Sequence, residues 1–106
     1  MKDSRIVLSD LAVADILEQA DWYESQADLR LARRWEQSVT SALMRIFQRP
    51  NTGALCKFRA EELKGTRRVP VTGFEKHLIF YQQVRKGELL ILRVVHGARD
   101  LESLFS

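Results

Sequence analysis

The sequence predicts an α+β fold in which an N-terminal helical hairpin packs on a small antiparallel β-sheet, the whole chain forming one domain over residues 1–106. Three observations carry this. The first half holds two apolar stripes at helical spacing, the second half holds three β-type runs joined by short turns, and 106 residues support a single core. A domain of this size hides only about 60–70% of its unfolded surface, which leaves little room for a cofactor.

The elements follow in chain order. Arg5 to Leu8 is a short strand candidate, and Ser9 is placed to cap the helix that follows by accepting a backbone N–H. Helix one runs to about Ala27, with Ala12, Ile16, Ala20 and Tyr23 on its buried stripe. Asp15, Glu18, Asp21 and Glu24 supply its wet, acidic face. Helix two, from about Leu29 to Gln48, repeats the pattern with Ala32, Trp35, Val39, Ala42, Leu43 and Ile46, and Pro50, Asn51 and Gly53 stop it.

Thr66 to Thr72, Glu75 to Val84 and Glu88 to His96 read as strands, with turns at Gly73 and at Arg85, Lys86 and Gly87. Pro70 cannot donate to a ladder, so its strand is expected at an edge or bulged there. Strict alternation in the last strand sets Leu90, Leu92 and Val94 on one face and Leu89, Ile91, Arg93 and Val95 on the other. One helical hairpin covers only one face. The other calls for the C-terminal segment, Arg99 to Phe105, or another chain.

The composition, 45% hydrophobic and 29% charged, is that of a soluble globular domain. No apolar run approaches the roughly 18 residues of a membrane span, and the N-terminus lacks a secretory pattern, so a cytoplasmic location is expected. Cys56 is alone, which excludes an internal disulfide and a cysteine-rich metal centre. Residues 1 to 44 carry five Lys/Arg against eight Asp/Glu, a net of −3, whereas residues 45 to 106 carry twelve against six, a net of +6. A basic half of this kind attracts acidic partners through a screened field.

No Gly-rich phosphate loop, metal-binding His/Cys spacing or Gly-x-Ser-x-Gly turn is present, and no cofactor or metal is implied. Arg67, Arg68, Tyr81, Arg93, His96 and Arg99 are residue types that could surround a phosphodiester, cations stabilising developing charge and His or Tyr moving a proton. Each also has a structural reading: the arginines solvate an edge strand, Tyr81 is core with its hydroxyl at the rim, and His96 satisfies a strand end. Alternation puts Arg93 and His96 on opposite faces of one strand.

The order of elements, with the stretches LSDLAVADI, FEKHLIFY and ILRVVHGARDLESLF, resembles the ParE branch of the ParE/RelE toxin superfamily nearly end to end. The most specific segment is Arg93 to Leu101, and the stretch that departs most is Asn51 to Lys64. The resemblance implies the toxin of a type II toxin–antitoxin operon, partnered by an acidic antitoxin whose tail wraps it. An acidic, amphipathic tail suits the basic half and the spare sheet face, which makes Arg93, Leu89, Ile91 and Val95 candidate antitoxin contacts.

ParE-like members poison DNA gyrase, whereas RelE-like members cleave messenger RNA on the ribosome with basic residues and commonly a tyrosine near the C-terminus. Leu101 to Ser106 contain no Tyr, Lys, Arg or His, which favours gyrase as target and no catalytic residues, with Arg99, Leu101, Leu104 and Phe105 as candidate target contacts. Under the RelE-like alternative the catalytic set would be Arg68, Tyr81, Arg93, His96 and Arg99, and only then is direct nucleic-acid binding expected. A module that binds antitoxin without toxicity is the third reading.

Overall fold

Strand β1 (Arg5–Leu8) leads through Ser9 into helix α1 (Asp10–Gln26), and helix α2 (Leu29–Gln48) returns alongside it. A computed structural model of the chain describes residues 5–97. Ser9 caps α1, its Oγ accepting from Ala12 N at 3.0 Å, and Asp28 caps α2 by accepting from Leu31 N at 2.9 Å. The rest of the chain supplies β2 (Ala54–Leu55), a single 3-10 turn (Glu61–Leu63), β3 (Arg67–Val71), β4 (Phe74–Arg85) and β5 (Glu88–His96).

The strands form one five-stranded sheet in the order β1-β5-β4-β3-β2. All neighbours are antiparallel except β1, which runs parallel to β5 with Leu8 beside Ile91. That parallel pairing is possible because the helical hairpin lies in the long connection between the two strands. The β3–β4 and β4–β5 turns close through Gly73 and Gly87, at φ 87° and 83°, where a side chain would be strained. Pro70 sits where β2 has already ended, since β2 pairs only with Arg67 and Arg68, and the β3–β4 register shifts between Pro70 and Val71. The edge and the irregularity anticipated for this proline are both there.

The core lies between the helices and one face of the sheet. Trp35, Val39, Ala42 and Ile46 of α2 and Ala12 and Ala20 of α1 bury against Val71, Ile79, Tyr81, Leu89, Ile91 and Val94. Trp35 ties the layers together: its Nε1 donates to the Ile16 carbonyl at 3.0 Å, and its ring meets Phe74 and His77 with centroids 5.3 and 4.8 Å away.

Two expectations need correction. The β4–β5 register shifts at Phe80/Tyr81, where Phe80 faces Arg93 and Tyr81 faces Ile91, so Leu92 is the extra residue of a β-bulge. The bulge changes the parity of β5, and the helix-facing set is Leu89, Ile91 and Val94 rather than either strictly alternating set. The second concerns the far face of the sheet. The excursion between β2 and β3 covers part of it: the Phe58 ring packs 6.2 Å from Phe80, Leu63 is buried, and Gln82 Nε2 donates to the Glu62 carbonyl and to Thr66 Oγ1. The segment expected to act as cover, Arg99 to Phe105, lies outside the described residues.

Candidate functional site

Where β1 ends, β5 runs on with no strand on that side, and α1 takes over the open edge. Ser9 N donates to the Ile91 carbonyl at 3.0 Å and Ser9 Oγ donates to the Leu92 carbonyl at 2.8 Å. Further along α1 Asp15 accepts the Val94 N–H at 3.0 Å and receives Arg93 in a two-point pair, Nε to Oδ2 at 2.8 Å and Nη2 to Oδ1 at 2.9 Å. Both side chains are only 13% exposed. The Asp15 carboxylate raises the Arg93 guanidinium still further above its ordinary value, against the cost of burial.

This contact forms one wall of a cleft of about 620 Å³ between α1 and the ends of β4 and β5, lined by Glu18, Trp22, Tyr23, Lys76, His77 and His96 among others. The His77 and His96 rings lie edge to face at 5.5 Å, and Tyr23 meets both Trp35 and Phe74. Burial pushes His77 below the usual histidine range and the charge of His96 adds to this, against a hydrogen bond that the ring donates to the Phe74 backbone. Arg93 and His96 thus line one cleft, although alternation separates them. The register from Arg93 to His96 is regular, so their backbone positions do face opposite sides, and it is the long Arg93 side chain that reaches round to Asp15 on the helix side.

Tyr81 is elsewhere and differently employed. It is fully buried on the helix side, its Oη donating to the Pro50 carbonyl at 2.8 Å and accepting the Gly53 N–H at 3.0 Å. Arg67 closes the same turn by donating to the Gly53 carbonyl at 2.8 Å. Burial pushes the phenol above its ordinary value. Tyr81 is therefore a clamp on the chain leaving α2. Along β4 it stands about 13 Å from His77, the residue paired with His96. Arg68 is exposed on β3, paired with Phe80. The fold does not gather Arg68, Tyr81, Arg93 and His96 around one point, and Arg99 lies outside the described residues. Cys56 is partly buried, and burial raises its thiol, with Arg68 opposing, which disfavours the reactive thiolate.

Of the residues expected to meet an antitoxin, Arg93 and Val95 line the cleft, whereas Leu89 and Ile91 are inside the core under the helices. Leu89 and Ile91 share the helix-facing side of β5 ahead of the bulge and are covered by the chain's own helices, which corrects their assignment to a face left for a partner. Arg93 is also already neutralised by Asp15, a partner the sequence reading assigned to the solvent. The expected target contacts Leu101, Leu104 and Phe105 lie outside the described residues, as Arg99 does. No helix is long and apolar enough to cross a membrane, and no cluster of three or more metal-ligating side chains occurs among the described residues.

The family model described as the ParE toxin of type II toxin–antitoxin system, parDE, matches residues 6–101. Among solved structures the chain resembles the chromosomal ParDE toxin–antitoxin system from P. aeruginosa, at 19% identity and a TM-score of 0.70, covering 88% of this chain and 95% of that one. It also resembles a YoeB-YefM complex from Staphylococcus aureus, at 14% identity and a TM-score of 0.54, over 90% of this chain and 98% of that one. A heterotetrameric YoeB-YefM toxin–antitoxin complex from the same organism gives 18% identity and a TM-score of 0.51 over the same shares. No curated protein matches the sequence.

Proposed function

Because the chain belongs to the ParE toxin family of type II toxin–antitoxin systems, we propose that it inhibits DNA gyrase in the cytoplasm and is neutralised by a cognate antitoxin bound as a hetero-oligomer. The observation that carries the choice of target is the Tyr81 hydroxyl. It donates to Pro50 and accepts from Gly53 inside the fold, which leaves the one tyrosine of the RelE-like catalytic set without a proton to offer a substrate. A toxin that acts by binding needs no such group. The cleft beside α1 is the proposed antitoxin surface, with Arg93 and Val95 on its wall and the exposed Trp22 at its rim. Arg99, Leu101, Leu104 and Phe105 are proposed to contact the target.

The test adds the purified chain separately to gyrase with supercoiled DNA and to a translating ribosome extract. Trapped, cut DNA that the antitoxin prevents supports the proposal. Messenger cleavage at ribosome positions with gyrase unaffected overturns it in favour of ribosome-dependent endonuclease activity. Inactivity in both assays, with antitoxin binding intact, overturns it in favour of a non-toxic binding module.

A further inference from the structure

The side of α2 turned away from α1 carries a row of cations that gyrase inhibition and antitoxin binding leave unused. Helical spacing aligns Arg34, Ser38, Ser41, Arg45 and Arg49, a row about 22 Å long from first to last. Two hollows open along it against β3. One, of about 250 Å³, is lined by residues including Arg34, Ser38, Ser41, Arg45 and Thr72, and the other, of about 510 Å³, by residues including Arg45, Arg49, Thr52, Val69, Pro70 and Thr72. They share Arg45 and Thr72, so they form one continuous trough, and Arg45 Nη2 donates to Thr72 Oγ1 at 3.1 Å across it.

The chemistry of the trough narrows its occupant. Among the described residues no acidic side chain lines it. The nearby Glu75 carboxylate is turned to the Gly73 N–H. The remaining polar lining is hydroxyls and the amides of Gln37 and Gln48, neutral groups that hydrogen-bond phosphate oxygens. Among the described residues no aromatic ring lines the trough, so unstacked bases of a single strand find no platform there, and its deeper apolar members, Ala42 and Ile46, are already buried in the core. Val69 and Pro70 give it a short accessible apolar patch at one end only, whereas the cations recur along the whole row, which suits a polyanion better than an amphipathic peptide. A duplex backbone needs neither feature, only spaced cations and donors along a groove.

We propose that the α2–β3 trough binds the sugar–phosphate backbone of duplex DNA without reading its sequence, Arg34, Arg45 and Arg49 neutralising phosphates. The site is separate from the cleft beside α1, and binding requires neither gyrase nor antitoxin. It also goes beyond the sequence expectation, which reserved direct nucleic-acid contact for a nuclease.

The experiment measures fluorescence anisotropy of a labelled 20-base-pair duplex of mixed sequence, about two turns long, with the full chain alone over a range of salt. Three neutralised phosphates predict a slope of log K against log salt of about −2.7. Each single Arg→Gln change at 34, 45 or 49 removes about 0.9 from its magnitude. The triple variant loses at least about tenfold in affinity at low salt, while Lys57→Gln with Lys64→Gln, basic residues outside the trough, leaves the slope unchanged. Circular dichroism melting verifies that each variant is folded. No duplex binding by the unaltered chain, or equal binding by a folded triple variant, overturns the proposal. So does arginine-dependent binding of polyglutamate or of a single-stranded RNA of equal length in place of the duplex.

Discussion

Asp15 and Arg93, 78 residues apart in sequence, meet in a two-point ion pair at 2.8 and 2.9 Å that closes the open edge of β5 where β1 runs out. The same carboxylate accepts the Val94 N–H, so one side chain satisfies both a buried cation and a ladder donor that has no strand to pair with. Edge strands otherwise present such groups to solvent or to another chain. The pair joins the helix that opens the fold to the strand that completes the sheet.

Removing Asp15 strands a guanidinium that is only 13% exposed and a backbone N–H. Asp15→Ala is expected to cost about 3 kcal/mol in urea unfolding, and Asp15→Asn, which keeps an acceptor for Val94, about half of that. In a double-mutant cycle with Arg93→Met the loss is smaller than the sum of the two single losses. Additive losses would show that the pair contributes nothing beyond its parts.

Tyr81→Phe leaves the Pro50 carbonyl and the Gly53 N–H without their partner. It is expected to lower stability by about 1–3 kcal/mol and to speed amide exchange at Gly53. Gly53→Ala strikes the same place from the other side, because a Cβ there would collide with Tyr81 Oη and the Arg68 carbonyl. Unchanged stability in both variants would remove the clamp from the account of the fold.

Cavity mutations rank the faces of α2. Ile46→Ala, at a site 2% exposed, is expected to cost about 3–4 kcal/mol. Leu43→Ala, on the half-buried flank, is expected to cost about half as much, below the full range that its place in the apolar stripe suggests. Equal losses in denaturant unfolding would mean that Leu43 is as deeply packed as Ile46.

How far the sequence could be read follows from the range of the signals. Helix α2 and strand β5 have the anticipated limits, Leu29–Gln48 and Glu88–His96, because a capping Asp28, a long apolar stripe and a glycine turn are local features. The bulge at Leu92 leaves no local trace, and one extra residue moved Val94 to the side of Leu89 and Ile91 and so misassigned part of the site. Asp15 read as solvated because it falls in step with Glu18 and Asp21, and only the three-dimensional path of β5 shows what it holds. The cover from Phe58 and Leu63 was invisible for a similar reason. Two apolar residues in an aperiodic stretch give no pattern to follow.

Acid is expected to weaken the fold through His77. The ring is half-buried against Trp35 and held below its ordinary value, and its other charged and titratable neighbours in the cleft are His96, Arg93, Lys76, Glu18, Asp15 and Tyr23. The unfolded chain binds a proton at this ring near pH 6.5 while the folded chain does not, so the contribution is complete above that pH and is lost as pH falls through the lower, folded value. Urea unfolding from pH 7.5 downward should show a slope that His77→Phe reduces. A variant with an unchanged slope would place the acid sensitivity elsewhere.

The last prediction separates binding from chemistry at the one histidine that faces the cleft mouth. His96 is exposed, pairs with His77 across the β4–β5 ladder and stands several residues along the sheet from Tyr81, and of the proposed nuclease set only the charged Arg93 lies beside it in the cleft among the described residues. If the chain inhibits gyrase by occupying a surface, His96→Ala should reduce growth inhibition by less than about tenfold provided thermal melting shows the fold intact, since surface substitutions rarely shift stability by more than about 0.5 kcal/mol. If the chain cuts RNA with His96 as acid or base, the same change should cost about 10²- to 10⁴-fold in cleavage rate. His96→Gln distinguishes the cases further, because it keeps a polar side chain of similar reach but cannot move a proton near neutral pH. Full toxicity in both variants fits a toxin that works by binding. Loss in both, with stability and antitoxin affinity unaltered, returns His96 to a catalytic role.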